Sequence, residues 1–295
     1  MQQVIKIENL TYIYNPKTPF AKKALDKVNL EINKGDFLGI IGHTGCGKST
    51  LIQHLNGLLK PQTGVLNVLD FDLFDRKIKK RYKSLRSKIG MVFQYPEYQL
   101  FAENVFLDVA FGYKNFFSSK THKLSKEEIE TAVKDAVTLV GLDYDQIKNR
   151  SPFEISGGQK RRIAIAGVIV SKPEILILDE PTAGLDPKGK AEILKLIHNL
   201  HKTCCHTIIM ISHDMDEIAK NCNKIALMEN GKIIKVGTQD IFDDINKIKE
   251  LNLDLPNCVK INLSLKEKGF DTGKNVFFEK ELAELIAKKI TRRKC

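Results

Sequence analysis

One stretch constrains this chain more than any other: Gly42-His43-Thr44-Gly45-Cys46-Gly47-Lys48-Ser49-Thr50. An apolar run, Phe37-Leu38-Gly39-Ile40-Ile41, comes just before it. Leu51, Ile52, Leu55, Leu58 and Leu59 follow at helical spacing. Strand, glycine-rich loop and helix, in that order, is the setting of a phosphate-binding loop. The glycines let successive backbone N–H groups turn toward one anion, and the helix starting near Lys48 adds the positive end of its dipole. Lys48 is then placed to reach the β- and γ-phosphates of a nucleoside triphosphate, and the Ser49 hydroxyl to ligate Mg²⁺.

The rest of the composition sets bounds. A chain of 295 residues holds one large domain, or one domain with an appendage, and 42% hydrophobic content supports a packed core. The longest apolar runs, such as Ile163 to Val170, fall short of the ~18 residues a membrane span needs. Met1-Gln2-Gln3-Val4-Ile5-Lys6 has no apolar signal region, so a cytosolic location is expected. The six cysteines show no Cys-x-x-Cys and no Cys/His cluster: Cys204 and Cys205 are adjacent, while Cys46, Cys222, Cys258 and Cys295 stand apart. Reduced thiols are expected. A net charge of +11 fits a lysine-rich solvated surface or attraction to an anionic membrane face. No basic block interleaved with aromatics stands out, and no nucleic-acid partner is expected.

Along the chain, Val4 to Tyr14 and Ala24 to Ile32 alternate and read as two antiparallel strands ahead of the loop. Tyr12 or Tyr14 at this opening has the ring to stack on a base. Val65 to Leu69 reads as a strand, Lys77 to Ser87 as a basic helical surface segment, and Ile89 to Phe93 as a buried strand. Tyr95-Pro96-Glu97-Tyr98-Gln99-Leu100-Phe101 is an aromatic loop directly after Gln94. Glu103 to Gly112 and Ser125 to Val140 read as helices, the second opened by a Ser125/Glu128 capping box. Ile175 to Leu178 is apolar without alternation, as a central parallel strand is, and Asp179-Glu180 ends it. Lys188 to His201 is an amphipathic helix, and Thr207 to Ile211 is a buried strand leading to Ser212-His213-Asp214. Asn230-Gly231 marks a type I′ hairpin. From about Asp240 the motifs stop, and Leu282, Leu285, Ile286 and Ile290 make one helical face.

Ligands of a parallel sheet bind at the carboxyl ends of its strands. The phosphate loop, Gln94, Asp179 and His213 therefore share one edge. Asp179 sits where a phosphate-loop NTPase keeps the carboxylate of its Mg²⁺ shell. Glu180 is the candidate general base. Gln94 supplies a polar contact to Mg²⁺ or water, and His213 a donor to the γ-phosphate. Ser156-Gly157-Gly158-Gln159 is a second helix start able to bind an anion. One phosphate needs one such cradle, so two copies arranged head to tail would close on a shared nucleotide.

In order, the phosphate loop, Gln94, Ile155-Ser156-Gly157-Gly158-Gln159, Ile175 to Glu180, Gly184-Leu185-Asp186 and His213 resemble an ABC-type ATPase over about residues 3–240. Ile155 stands where Leu is usual and Cys46 where Ser is commoner, and neither removes a needed group. The resemblance implies an α/β phosphate-loop NTPase core with an antiparallel β subdomain, an inserted helical subdomain at about 95–170 and a small C-terminal α/β appendage. The ATP-binding domain would span 1–244 and the appendage, a dimer contact, 245–295. It also implies ATP and Mg²⁺ as ligands. Tyr14 would stack on adenine beside a cradle running from Gly42, His43, Thr44, Gly45, Cys46 and Gly47 to Lys48, Ser49 and Thr50. Glu180, His213 and Gln94 would be catalytic, and Ser49, Gln94 and Asp179 would hold the metal. Ser156, Gly157, Gly158 and Gln159 would touch ATP across the dimer, and Asp186 would signal across it.

Finer features, Gln94 to Phe101 and Lys160 to Val168, resemble the ATP-binding subunits of energy-coupling factor transporters, importers of vitamins and some transition metals. Thr18-Pro19-Phe20 and Gly42-His43-Thr44-Gly45, with Gln53 to Pro61, resemble one of the two paralogues that pair in the vitamin-type complexes. The partners implied are a paralogous ATP-binding subunit, a membrane coupling protein and a membrane substrate-binding protein. The location implied is peripheral, on the cytoplasmic side of the cell membrane. The alternative weighed against this is a soluble ABC ATPase acting on nucleic acid or ribosomes, but the chain carries neither a second cassette nor a long heptad insertion. A thiol reagent at Cys46 is expected to block ATP binding, with ATP protecting.

Overall fold

The fold comes from a computed structural model that describes residues 2–118, 123–270 and 272–293; Cys295, counted above among the reduced thiols, lies outside them. Strands β1 (Gln3–Tyr14) and β2 (Lys22–Asn33) pair antiparallel, with Tyr14 opposite Lys22. Ile5, Ile7, Leu10, Leu25, Val28, Leu30 and Ile32 turn inward, the alternation of a strand broken where the register shifts, between Ile7 and Leu10 and between Leu25 and Val28. Strand β3 (Phe37–Ile41) and helix α1 (Lys48–Leu55) flank the glycine-rich loop. Strands β4 (Thr63–Val68) and β5 (Phe71–Asp72) complete a four-stranded antiparallel sheet in the order β2-β1-β4-β5.

A 3₁₀ turn at Arg76–Lys80 leads into α2 (Tyr82–Lys88) and then β6 (Ile89–Val92). A helical group follows: α3 (Val105–Phe117), α4 (Lys126–Leu139), α5 (Tyr144–Ile147) and α6 (Gly157–Ile169). The capping box at α4 forms as read, with Ser125 and Glu128 each accepting from the other's backbone N–H. The chain returns to the sheet with β7 (Ile175–Asp179), α7 (Pro187–Thr203), β8 (Thr207–Ile211), α8 (Met215–Asn221), β9 (Lys224–Glu229) and β10 (Lys232–Gly237). Asn230 and Gly231 both have positive φ, 46° and 78°, as a type I′ turn requires.

The second sheet runs β10-β9-β3-β8-β7-β6, parallel except for β10. Its central strands are covered on both faces. Ile175, Ile177, Ile209 and Ile211 pack toward the antiparallel sheet and α1. Leu176, Leu178, Ile208 and Met210 pack toward the helices. That double burial is why these strands read as unbroken apolar runs. It also fixes the carboxyl edge where the phosphate loop and the ends of β6, β7 and β8 converge.

Beyond Gly237 the described residues form only helices: a 3₁₀ turn at Gln239–Asp243, then α9 (Ile245–Glu250), α10 (Asn257–Glu267) and α11 (Glu279–Arg293). The appendage expected as α/β is thus helical. Phe242, Leu251, Leu255 and Val259 root it in the main core, and Leu282, Leu285 and Ile286 pack on Cys258 and Val276. Ile290, the last member of that helical face, is exposed.

Candidate nucleotide site

The loop between β3 and α1 is shaped by two glycines. A Cβ on Gly42 would stand 2.3 Å from the Met228 carbonyl oxygen. Gly47 has φ +108°, and a Cβ there would stand 2.5 Å from the Ala24 carbonyl oxygen. Only glycine fits at either position. Gly47 is also the N-cap of α1, no side chain caps that helix, and its first turn holds no acid. The open N–H groups and the dipole are thus left for an anion. The Lys48 ammonium donates to the carbonyls of Gly42 (2.6 Å) and His43 (3.0 Å), arching over the loop. The His43 Nδ1 donates to the Thr44 carbonyl oxygen at 2.9 Å.

A cleft of about 350 Å³ opens beside the loop. It is lined by Tyr14, Thr44, Gly45, Gly47, Lys48, Ser49, Thr50, Gln94, Asp179 and Glu180, residues the sequence had singled out, and by Lys22, Ala24 and Ile211, which it had not. Lys22 enters through strand register, opposite Tyr14, which local pattern does not reveal. The Tyr14 hydroxyl lies 3.2 Å from the Thr50 hydroxyl, while Tyr12 does not line the cleft and packs edge-on against Tyr14 and His54. Gly42, His43 and Cys46 shape the loop from behind rather than lining the cleft. Cys46 is 2% exposed, and burial pushes its thiol pKa up. The thiol expected to react there is therefore buried.

Consecutive residues of a strand face opposite ways, yet both carboxylates face the cleft. The reason is the backbone at Glu180, where φ is +50°. That left-handed step swings the side chain back to the edge, while the Glu180 N–H stays bonded to the Ile211 carbonyl at 2.9 Å. Strain of this kind is held only where surrounding contacts over-determine it. Burial raises the Asp179 carboxyl pKa; the Glu180 charge adds to the rise, and the Ser49 hydroxyl and Lys48 oppose it. The Glu180 Oε2 accepts from His213 Nδ1 at 2.9 Å and from Gln94 Nε2 at 3.5 Å. Three separate strand ends therefore meet on one carboxylate. Ser49 and Asp179 offer hard oxygen donors, and among the described residues no group of three or more His, Cys, Asp or Glu side chains is arranged to hold a metal ion. That set suits Mg²⁺, which binds through one or two side chains and completes its shell with phosphate and water.

Ser156, Gly157, Gly158 and Gln159 do not line this cleft. Ser156 caps α6 and forms a reciprocal capping box with Gln159, while Gly157 and Gly158 lie open to solvent. Asp186 is exposed and caps α7 through the Gly189 N–H at 2.8 Å. Two buried networks behind the site were not read from the sequence. Arg161 on α6 grips Glu97 and the carbonyls of Pro181 and Ala183. Glu217 on α8 accepts from the Thr182 and Ser212 hydroxyls at 2.8 and 2.9 Å.

The chain matches the family described as ABC transporter over residues 25–183, more than half its length. That span runs from β2 through the phosphate loop and Gln94 to the turn after Glu180. The chain belongs to the ABC transporter family. This ABC protein is 50% identical over 292 residues to the energy-coupling factor transporter ATP-binding protein EcfA2 of Clostridium tetani, covering 97% of the chain and 99% of the relative. To the EcfA2 protein of Clostridioides difficile it is 49% identical over 286 residues, 96% of each. Among solved structures, CbiO1 of Clostridium perfringens, part of the ABC transporter complex CbiONQ, is 38% identical with a TM-score of 0.72, covering 88% of this chain and 99% of that one. The dimeric post-hydrolysis cassette MJ0796, bound to ADP and Pi, is 27% identical with a TM-score of 0.68, covering 80% and 98%. The chain is thus an energy-coupling factor type ATP-binding subunit, an ATPase of the class that drives transport in association with membrane components. Among its described residues no helix is long and apolar enough to cross a membrane.

Proposed function

We propose that this chain powers an energy-coupling factor importer of vitamins or related micronutrients from the cytoplasmic side of the membrane. It pairs head to tail with a paralogous ATP-binding subunit and seats against a membrane coupling protein that carries a substrate-binding protein. The observation that carries this reading is the division of the phosphate-binding parts. One cleft gathers Lys48, Ser49, Gln94, Asp179 and Glu180, while the open helix start at Ser156–Gln159 lies outside it. A partner facing the cleft supplies the missing wall.

In this reading ATP lies with adenine on Tyr14 and its phosphates in the loop from Gly42 to Thr50. Ser49, Asp179 and Gln94 would hold Mg²⁺, which would supply positive charge against the phosphates. Glu180 takes the proton of a water that attacks the γ-phosphorus in line; the new P–O bond forms as the bond to the ADP oxygen breaks. His213 and Gln94 hold the Glu180 carboxylate and the γ-phosphate side of the cleft, and Asp186 reaches toward the partner. Closing two such sites requires ATP, and hydrolysis releases them.

The surface for the membrane partner follows from exposure. Tyr98 is 84% and Phe101 61% exposed, and Phe101 meets Phe111 edge to face. They form an apolar lip attached to Gln94. Leu100, in the same aromatic loop, is 7% exposed and belongs to the core. Tyr98→Glu with Phe101→Glu tests the surface: co-purification of membrane proteins with the chain and substrate uptake should both be lost. Retention of both would remove the lip from the coupling path.

A further inference from the structure

The largest fully buried side chain is not apolar but Arg161, at 2% exposure. It sits in the second turn of α6, just past Ser156–Gln159. Its Nε and Nη2 donate to the two oxygens of Glu97 at 3.0 and 2.7 Å, a parallel two-bond fork. Its Nη1 donates to the carbonyls of Pro181 (3.2 Å) and Ala183 (2.9 Å). Glu97 lies in the 3₁₀ turn Pro96–Gln99 between Gln94 and the exposed Tyr98 and Phe101. Pro181 to Ala183 is the turn between Glu180 and Asp186. A second contact runs alongside: the Tyr95 ring lies so close to Gly184 that a Cβ there would stand 3.2 Å from it.

We infer that Arg161 is a positioning residue that joins three moving parts into one body: the Gln94 loop with its apolar lip, the Ser156 helix start, and the turn that sets Glu180 and Asp186. Taking a guanidinium out of water is costly unless every donor has a partner, and here four N–H contacts fix it from two directions. A shift of the lip draws on Glu97. The planar fork transmits that shift through Arg161 to the Pro181 and Ala183 carbonyls, and so to the left-handed step at Glu180. The Gln94–Glu180 spacing of 3.5 Å is thereby tied to the position of the lip. Lysine, a single point charge on a flexible stem, cannot make the same fork. The inference rests on the proposed assignment of Glu180 and Gln94 to hydrolysis.

The test uses the membrane complex isolated through a tagged chain, with Arg161→Lys, Glu97→Gln and the double variant, measuring kcat and KM for ATP together with Tm. The phosphate loop is untouched, so KM should stay within about twofold. Misplacing a reacting group by about 1 Å is costly, and kcat should fall about tenfold or more in Arg161→Lys and by less in Glu97→Gln. Because the two residues act as one clamp, the double variant should be no slower than Arg161→Lys alone. Full kcat with only a lower Tm would overturn the inference, as would losses in kcat that multiply in the double variant. If Arg161→Lys does not fold, Glu97→Gln decides by itself, a wild-type kcat there overturning the inference. Glu180→Gln run in parallel separates the two readings: wild-type turnover in that variant refutes the role of Glu180 rather than that of Arg161.

Discussion

Glu217 offers the sharpest test of how the catalytic edge is held. It is 5% exposed, and it accepts from the hydroxyls of Thr182 and Ser212, each 3% exposed. Lys190 lies 3.4 Å from its second oxygen and 3.0 Å from Asp214. Glu217→Ala removes the acceptor of two buried donors, while Lys190 keeps Asp214. Hydrogen bonds to a charged group contribute about 1.5–3 kcal/mol each. The desolvation cost of the lost carboxylate is recovered in part, leaving a net loss of about 3–5 kcal/mol. At about 2.1 cal/mol/K per residue, unfolding 295 residues carries about 0.6 kcal/mol/K, so Tm should fall by about 5–8 °C. Glu217→Gln keeps one acceptor oxygen and should cost about half as much. Thr182 is two residues past Glu180, and Ser212 adjoins His213, so kcat measured well below Tm should drop about tenfold in Glu217→Ala. Differential scanning calorimetry and a steady-state ATPase assay check both numbers. A Tm within about 1 °C of wild type, with full turnover, would refute the argument that this carboxylate ties the two strand ends together.

Glu180→Gln should cut turnover by ~10²-fold or more while ATP affinity is kept, read by ATPase rate against nucleotide binding; near-normal turnover places the base elsewhere. The raised pKa of Asp179 means the folded chain holds that proton more tightly than the unfolded chain does. Without nucleotide, stability should therefore rise as pH falls from the raised value toward the ordinary carboxylate range. Mg²⁺-dependent ATP binding, which needs the ionised carboxylate, should weaken over the same window. Melting curves against pH, with and without Mg²⁺ and ATP, should lose both trends in Asp179→Asn, and an unchanged profile there would count against the assignment. N-ethylmaleimide should label native Cys46 more slowly than Cys204, because burial raises the first thiol's pKa while a hydrogen bond from Cys205 lowers the second's. Peptide mass spectrometry reads the order, and faster labelling at Cys46 would contradict its burial.

Local pattern carried the sheet and the loop into view because their causes are local. Alternation in β1 and β2, unbroken apolar runs in β7 and β8, and the glycines around Lys48 each follow from a period or a backbone constraint within a few residues. The convergence of Gln94, Asp179 and His213 followed from the rule that strand ends share an edge. What stayed hidden was pairing at a distance. Glu97 and Arg161 are 64 residues apart, and Thr182 and Glu217 are 35 apart; in sequence Glu97, Arg161 and Glu217 read as ordinary surface charges. Arg161 lay inside a run, Lys160-Arg161-Arg162, whose neighbours are only partly buried. The burial of Leu100 and Cys46 stayed hidden for the same reason, since exposure in a loop depends on what packs over it. The helical character of the appendage was obscured by its lysine-rich, weakly periodic stretch before α11.

The most direct test of the central claim is affinity purification of the tagged chain from detergent-solubilised membranes, with identification of what comes with it. The account predicts a paralogous ATP-binding subunit together with small integral membrane proteins, all held through the cassette and its apolar lip. Recovery of soluble protein, RNA or ribosomes alone would contradict it, leaving an ATPase whose motor drives something other than an importer.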